Sequence, residues 1–233
     1  MTTVAVLQPG YLPWLGYFDL MRWADVFVVY DDVQFDKHGW RNRNRVKCGH
    51  GLQWLTVPVR LHGRDRPRIL DVEIDDTKDW ARKHVATIRQ CYAHALHLEP
   101  YATELEMTLE QRWRSLVDLD LELAALLARW LGIESRVVRS SQLGISGSRN
   151  ERLLAICQSF GADRYRTGAA AREYLDVELF ARSGIEVEWQ NLDHPVYPQL
   201  HGGFVSHLSA LDVILNCGES SASVLAHAEA GRS

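Results

Sequence analysis

The sequence predicts a doubly wound α/β fold built on a mainly parallel sheet. Two runs, Thr3–Leu7 and Val26–Tyr30, are rich in valine and do not alternate with polar residues, as expected for strands buried on both faces. A Gly/Pro/aromatic loop and a short helical pattern at 15–23 separate them. After residue 135, short apolar runs alternate again with helical patterns, which is typical of parallel sheets.

The remaining elements add to this sheet. Residues 43–47 and 52–59 flank Gly49-His50-Gly51, which predicts a β-hairpin within an antiparallel insert at about 38–75. Three apolar stripes at helical spacing predict a helical sub-bundle at about 77–131. We therefore expect one Rossmann-like α/β domain over residues 1–218. A flexible tail rich in Ser, Ala, Glu and Gly would follow at 219–233.

Composition and charge exclude several classes of protein. Hydrophobic residues make up 46% of the chain and the net charge is −4, so no global field attracts nucleic acid or an anionic membrane. The amino terminus lacks a basic region followed by a long apolar run, so we expect neither a signal peptide nor a membrane span. The spacing of Cys48, Cys91, Cys157 and Cys217 matches no zinc knuckle or redox pair, which favours reduced thiols in a cytoplasmic protein.

The first candidate site follows the first strand, where Gln8-Pro9-Gly10 ends the apolar run. Parallel sheets bind ligands at the carboxyl ends of their strands, so this loop is a candidate pocket floor. Glycine lets a ligand approach the backbone closely, and the aromatic residues that follow offer stacking faces. We assign substrate binding to Gln8, Gly10, Tyr11, Trp14 and Tyr17, with a packed aromatic turn as the alternative.

The second strand ends in Asp31-Asp32-Val33-Gln34, which would lie on the same edge of the sheet. A carboxylate there can hold a sugar hydroxyl, an amine or a metal ion. Helix capping or a surface pair is the alternative interpretation. We assign Asp32 to catalysis, and Asp31 and Gln34 to substrate binding.

Arginine and asparagine alternate after Trp40, in the order Arg41-Asn42-Arg43-Asn44-Arg45. In an extended segment the arginines share one face and the asparagines the other. Guanidinium groups suit phosphate or carboxylate ligands. We therefore assign the binding of an anionic donor group to Trp40, Arg41, Asn42, Arg43 and Asn44. A sheet edge guarded by charge is one alternative, and contact of the basic segment 41–68 with a carrier or tRNA is another.

The last third of the chain supplies further polar candidates. Ser140-Ser141 can bind an anion or simply cap a helix, and the loop from His194 to Phe204 is polar and aromatic. A closing helix is predicted at 205–216 with Ser206 as its cap. We assign general-base catalysis to His194 and His201, and substrate binding to Ser141, Gln199, Ser209 and Asp212. No GxSxG, HExxH or spaced Cys/His set occurs, so no metal site and no nucleophile is assigned.

Several blocks, in order from about residue 4 to residue 218, resemble the WbqC-like protein family of bacteria. These blocks are QPGYLPWLGYFDLM, ADVFVVYDDVQF, WRNRNRVK, WLTVPV, SSQLG, GADRYRTGAAAREYLD and HPVYPQ…FVSHLSALDVILNCG. The resemblance implies a small-molecule transferase of surface-polysaccharide or natural-product biosynthesis, acylating or aminoacylating an amino sugar. Members usually carry His-Gln-Pro where this chain has Leu7-Gln8-Pro9. If that histidine is catalytic in the family, this protein uses another base.

The opening unit also looks like the start of nucleotide-binding adenylyl-transferring enzymes such as pantothenate synthetase. Those enzymes carry His-x-Gly-His where this chain has Trp14-Leu15-Gly16-Tyr17, so both histidines are missing. This likeness concerns the fold, and a shared fold does not establish a shared function.

Three functions stay open from the sequence. The first is acyl or aminoacyl transfer from an activated donor to the amine of a small molecule. The second is nucleotidyl transfer with ATP and Mg²⁺, and the third is an accessory role in binding a carrier or tRNA. No cofactor beyond these donors, and no oligomeric state, is assigned.

Overall fold

A computed structural model describes residues 1–61, 63 and 65–228 of the chain. In chain order its strands and helices are β1 (Thr3–Leu7), α1 (Leu15–Trp23), β2 (Val26–Val29), β3 (Arg43–Cys48), β4 (Gly51–Thr56), β5 (Val59–Arg60), β6 (Glu73–Ile74), α2 (Trp80–Cys91), α3 (Leu98–Leu109), α4 (Leu116–Trp130), β7 (Arg136–Arg139), α5 (Arg149–Ser159), β8 (Arg164–Thr167), α6 (Val177–Arg182), β9 (Glu186–Trp189), α7 (Ala210–Cys217) and α8 (Ser221–His227).

Five strands form one parallel sheet in the order β7-β2-β1-β8-β9. The chain first builds outward from β1 through β2 to β7, and then returns to place β8 and β9 on the other side of β1. This order confirms the predicted mainly parallel, doubly wound α/β fold. The strand order reverses between β1 and β8, and sheets of this kind bind ligands at that point, outside the carboxyl ends of the strands.

Two hydrophobic clusters cover the two faces of the sheet. Successive side chains of a strand point to opposite faces. Ala5 and Phe27 therefore belong to the cluster that contains residues of α1, α2, α3 and α4. Val4, Val6 and Val28 belong to the cluster on the other face, which contains residues of α5 and α6. Burial on both sides explains why neither β1 nor β2 alternates with polar residues.

The predicted helical block forms α2, α3 and α4, and α7 packs against α3 and α4. The helix predicted at 205–216 begins later, at Ala210. His207 has a φ of +59°, which is incompatible with a right-handed helix, and the hydroxyl of Ser209 accepts a hydrogen bond from the Leu211 N–H. Ser209, and not Ser206, is therefore the cap of α7.

The predicted antiparallel insert is present. β3 and β4 pair around the turn between Cys48 and Gly51, and β5 pairs with β6. Near the end of the insert, Ile69–Asp71 forms a 3₁₀ turn and Glu73–Ile74 is extended.

A disulfide joins Cys48 in β3 to Cys91 at the end of α2, with Cα atoms 4.5 Å apart. The expectation of reduced thiols is therefore wrong for this pair. The two cysteines are 43 residues apart in sequence and meet only because the hairpin packs against the helical block. Cys157 and Cys217 are free thiols.

The flexible tail expected from residue 219 instead starts with regular structure. Gly218–Ser220 forms a 3₁₀ turn that leads into α8, where Leu225 is buried. The Ser221 hydroxyl, 3.1 Å from the Val213 carbonyl, attaches α8 to α7. Residues 229–233 lie outside the described residues. None of the helices described is both long and apolar enough to cross a membrane.

Candidate functional site

A pocket of about 280 Å³ opens at the carboxyl end of β1, beside the point where the strand order reverses. Its lining combines the end of β1, the first turn of α1, the start of the hairpin and one residue that precedes α7. The structure brings together eight residues assigned to substrate binding from the sequence, and adds three more. They are Gln8, Gly10, Tyr11, Trp14, Tyr17, Trp40, Arg41 and Asn44, with Leu7, Pro13 and His207.

A neutral hydrogen-bonded pair lies at the floor. Tyr11 is fully buried, and its hydroxyl lies 2.8 Å from Nδ1 of His84 on α2. Burial lowers the pKa of His84 to about 4, although a hydrogen bond to the Thr56 backbone opposes this shift. His84 is therefore neutral near pH 7, and because its other ring nitrogen donates to Thr56, Nδ1 accepts the Tyr11 proton. Burial, and then the charge of Asp120, raises the pKa of Tyr11 well above its ordinary value.

The conformation of the floor depends on Asn44. Leu12 has a φ of +43°, which is uncommon for a residue with a side chain. The Asn44 amide donates to the carbonyls of Tyr11 and Leu12, at 3.3 and 2.7 Å, and its Oδ1 accepts from the Arg45 N–H at 2.8 Å. The Asn42 amide donates to the Val57 carbonyl at 2.8 Å. Asn44 thus shapes the pocket through the backbone, whereas Asn42 holds the entry to the hairpin against Val57.

One wall is an indole stacked on an imidazole. The ring centroids of Trp14 and His207 are 4.9 Å apart, with planes inclined by 24°. Nδ1 of His207 contacts the Ser206 hydroxyl at 2.8 Å, and Nε2 has no hydrogen-bond partner among the residues described. This nitrogen is the acceptor or donor that His207 can present to a ligand.

His194 lies behind this wall. Its Nε2 accepts the backbone N–H of His207 at 3.0 Å, and its Nδ1 donates to the Pro195 carbonyl at 3.1 Å. Burial lowers the pKa of His194, and the neighbouring His207 lowers it further, against a hydrogen bond to Pro195. Since both ring nitrogens are occupied, His194 positions His207 and does not itself face the pocket.

Arg41 is the cationic group of the lining. Burial lowers the pKa of Arg41, whereas the nearby Asp120, Tyr17 and Asp36 act to raise it. The guanidinium makes no ion pair in the described part of the chain, and its Nε is buried without a hydrogen-bond partner. An anionic ligand would supply the partner that the protein does not.

Asp120 on α4 belongs to the same buried region, although it does not line the pocket. Both of its carboxyl oxygens are buried and have no hydrogen-bond partner among the described residues. Burial raises the pKa of Asp120 well above its ordinary value, and the charge of Arg41 offsets this only in part. Asp120 is therefore disposed to be protonated, which leaves the positive charge of Arg41 uncompensated.

Asp31 and Asp32 follow β2 as predicted, but they are not part of the pocket lining. Asp31 accepts hydrogen bonds from Arg139 Nε at 2.6 Å and from the N–H and hydroxyl of Ser141 at 3.0 and 2.9 Å. Burial alone would raise the pKa of Asp31, but these hydrogen bonds hold it below its ordinary value. Asp32 pairs with Arg152. These groups form an ion-pair cluster that joins β2 to β7 and α5.

Gln199 and Asp212 belong to another internal network. Asp212 is buried and accepts from the hydroxyls of Tyr92 and Tyr197 at 2.7 and 2.9 Å, and from the Gln199 amide at 2.9 Å. Gln199 also accepts from Lys47 at 3.3 Å. Burial raises the pKa of Asp212, and the hydrogen bonds and Lys47 oppose this effect. The network holds the 194–212 segment on the hairpin and α2.

The other predicted residues lie apart from the pocket. Nε2 of His201 lies 2.6 Å from the Cys91 carbonyl, and Ser209 caps α7. Gln34 is exposed and bridges through its backbone to Arg68. Arg43 lies on the outer face of the hairpin, with its guanidinium 4.7 Å from the Trp54 ring centroid. The described residues contain no group of three or more His, Cys, Asp or Glu able to hold a metal ion.

Sequence reasoning missed three residues near the pocket, namely His207, His84 and Asp120. His84 and Asp120 lie inside helical stripes, which predict only a buried face. His207 lies within a block that resembles the family, FVSHLSALD. The sequence predicts a helix there, whereas the structure has His207 in the loop before α7.

Comparisons with known proteins agree with the family resemblance. A curated protein of Mycobacterium tuberculosis (strain ATCC 25618 / H37Rv), described as uncharacterized protein Rv1507c, is 40% identical over 220 residues, covering 94% of this chain and 95% of that protein. No solved structure matches the chain significantly. The family model of WbqC-like proteins matches residues 8–224. The chain therefore belongs to the WbqC-like protein family.

Proposed function

We propose that the protein is a small-molecule biosynthetic transferase that moves an acyl or aminoacyl group from an activated donor to an amine. One observation carries the proposal: the pocket at the carboxyl end of β1 combines the guanidinium of Arg41 with Nε2 of His207. Within the described residues, the guanidinium makes no ion pair and Nε2 makes no hydrogen bond. The first group suits an anionic donor, and the second suits removal of a proton from the attacking amine. Trp14, Tyr17 and Trp40 line the pocket around both groups.

The reaction follows from these two groups. The amine nitrogen attacks the acyl carbon, a C–N bond forms, and the bond between the acyl carbon and the leaving group breaks. His207 Nε2 takes the proton that the nitrogen loses, and Arg41 neutralises the charge that remains on the leaving group. His194 fixes the loop of His207 by accepting its backbone N–H. In this proposal His207 is the base. It takes over the catalytic role that the sequence assigns to Asp32, His194 and His201.

A second candidate is nucleotidyl transfer with ATP and Mg²⁺. The strand order favours it, because nucleotides bind doubly wound sheets at the reversal of strand order. Against it, Trp14 and Tyr17 occupy the positions at which the adenylyl-transferring enzymes carry their two histidines. The pocket volume of about 280 Å³ is also at the lower limit of typical ligand pockets. Release of pyrophosphate from ATP with candidate substrates would separate this reaction from transfer of a preactivated acyl group.

The third candidate is binding of a carrier or tRNA by the basic segment 41–68, and two of the later arginines of that segment weaken it because they are paired within the protein. Arg60 pairs with Asp76, and Arg68 pairs with Asp71. Such binding would weaken steeply with salt and would occur without turnover by the isolated chain.

The test is a transfer assay with purified protein. Acyl thioesters, acyl phosphates and aminoacyl esters are paired with a panel of amino sugars, and amide products are detected by mass spectrometry. For the pair that reacts, we expect His207→Gln to lower kcat by about 10²- to 10⁴-fold, and Arg41→Gln to raise KM for the anionic donor. His201→Gln is the matched control and should retain turnover, since His201 lies outside the pocket. Wild-type kcat in folded His207→Gln would refute the proposal.

A further inference from the structure

The outer face of the β3–β4 hairpin carries side chains that the core does not use. In this antiparallel pair Arg45 lies opposite Trp54, and the inward-facing pair is Asn44 and Leu55. Residues alternate between the two faces, so Arg43, Arg45 and Trp54 share the outer face. The sequence before β3 adds Trp40 to the same surface.

Two indoles and two guanidinium groups form one stack on this surface. The rings of Trp40 and Trp54 are stacked with centroids 5.5 Å apart and planes inclined by 27°, yet the residues remain 44% and 42% exposed. The guanidinium of Arg43 lies 4.7 Å from the Trp54 centroid. That of Arg45 lies 5.5 Å from Trp40 and 5.6 Å from Trp54. We call these four residues the Trp–Arg stack.

The two arginines of this stack have no carboxylate partner among the described residues. Neither Arg43 nor Arg45 makes an ion pair with a carboxylate in the described part of the chain, and the Nε of each is buried without a hydrogen-bond partner. An exposed indole elsewhere provides the contrast. Trp23 is 46% exposed and also contacts two arginines, but Arg22 pairs with Asp19 and Arg166 pairs with Glu188. The Trp–Arg stack therefore presents two cations to solvent-borne anions where the Trp23 surface does not.

The stack is continuous with the pocket, because Trp40 belongs to both and Arg41 follows it in the chain. We propose that the Trp–Arg stack binds the nucleotide portion of the donor substrate, with a base on the indole face and phosphate on Arg43 or Arg45. The transferable group would then extend past Trp40 towards Arg41 and His207. This inference names the donor class and rests on the transferase function proposed above.

The chemistry of the stack favours a nucleotide over a free sugar. Every base has a π-face that stacks on an aromatic side chain, and guanidinium donors pair with phosphate oxygens. Sugar hydroxyls require acceptors as well as donors, but the charged groups of the stack are donors alone.

The test is calorimetric titration of the full chain with AMP and UMP, compared with adenosine and ribose 5-phosphate. The two nucleotides should bind at least about ten-fold more tightly than either fragment, because stacking and charge act together, and binding should weaken with added salt. Failure of both nucleotides to bind, or equal binding of ribose 5-phosphate, would overturn the proposal. Much tighter binding of a single-stranded oligonucleotide would also overturn it, since the ligand would then not be a small-molecule donor.

Variants separate the stack from the rest of the site. Trp54→Ala should weaken nucleotide binding by about ten-fold, Trp54→Phe by less, and Arg45→Gln should reduce the salt dependence. Trp23→Ala is the matched control and should bind as the wild type does. Unchanged binding by folded Trp54→Ala, or an equal loss in Trp23→Ala, would contradict the assignment. The titration measures nucleotide binding and not turnover, so it is independent of the transfer assay. Transfer from a donor that lacks a nucleotide would refute this inference but would leave the transferase proposal intact.

Discussion

The indole of Trp14 lies directly on the backbone of Gly16. A Cβ atom at residue 16 would lie 2.2 Å from Cζ2 of that indole, far inside van der Waals contact. Because α1 begins at Leu15, the pocket wall and the first turn of the helix are built from the same few residues. Glycine at position 16 is what lets Trp14 fold back over the helix and stack on His207.

The Gly16→Ala variant should therefore lose the pocket wall. In an exposed helix alanine is more stable than glycine by about 1 kcal/mol, but here the new methyl group must displace the indole. We expect a net loss of about 1–3 kcal/mol in the free energy of unfolding, as for overpacked cores, and a change in near-UV circular dichroism as Trp14 moves. Chemical denaturation measures the first quantity.

Gly203→Ala is the matched control for this substitution. A Cβ at Gly203 meets nothing within 4 Å, so this variant should unfold as the wild type does. If Gly16→Ala proves as stable as Gly203→Ala and keeps the wild-type spectrum, the close contact between Trp14 and Gly16 does not exist in solution.

Asp120 should make the protein less stable as pH rises. Its carboxyl is buried without a hydrogen-bond partner, and burial raises its pKa in the folded state. The folded state therefore holds the proton more tightly than the unfolded state, so stability is complete below the unfolded pKa of about 4 and declines above it. Asp120→Asn removes this titration. At pH 7 it should be more stable than the wild type by at least about 1 kcal/mol, and the difference should vanish near pH 4.

Denaturant unfolding at several pH values from 4 to 8 measures this difference. Asp118→Asn, on an exposed position of the same helix, is the control and should show no such divergence. A loss of stability in Asp120→Asn at pH 7 would mean that an ionised Asp120 compensates Arg41, and that the guanidinium is not available to an anionic ligand.

The parts of the fold that sequence predicts best are those with local causes. The Val-rich runs of β1 and β2 identify buried strands, because burial on both faces removes polar residues. The pocket floor followed from the same logic, since Gln8-Pro9-Gly10 had to end a strand at the binding edge of the sheet. For Arg41 and Asn44 the sequence offers only their residue types as a signal, and it is the hairpin that brings them to this edge of the sheet.

The parts that sequence did not predict depend on distant packing. His201 and His207 both lie in loops. Only the tertiary structure shows that His207 stacks on Trp14, whereas His201 contacts the Cys91 carbonyl. Asp31 and Asp32 sit where a binding carboxylate belongs, but arginines from β7 and α5 pair with them. Neither distinction leaves a periodic or short-range pattern in the chain.

The disulfide between Cys48 and Cys91 should stabilise the hairpin that carries Trp40, Arg41 and Asn44. Closing a loop of 43 residues limits the unfolded chain, which in the chain-entropy model contributes about 4 kcal/mol. Cys48→Ser should therefore lower the free energy of unfolding by about 2–4 kcal/mol. Without reductant, thiol labelling of the unfolded wild type should modify two of its four cysteines.

Cys217→Ser provides the control, because Cys217 is a half-buried free thiol. It should leave the number of disulfide-bonded cysteines unchanged and should not respond to reductant differently from the wild type. Labelling of all four cysteines in protein purified without reductant would show that the pair is not formed.

The hydrogen-bonded pair of His84 and Tyr11 should make the folded protein less stable in acid. His84 is neutral and accepts the Tyr11 proton at Nδ1, and its pKa falls from 6.5 to about 4 on folding, mainly through burial. The unfolded state therefore binds a proton more readily, so stability is complete above pH 6.5 and is lost as pH falls towards 4. The pKa difference corresponds to roughly 3 kcal/mol. His84→Gln should flatten the stability profile in this window, whereas His94→Gln, on an exposed position, should retain the wild-type slope. If His84→Gln loses stability between pH 6.5 and 4 as steeply as the wild type, the histidine is not neutral in the folded protein and Tyr11 is not its hydrogen-bond donor.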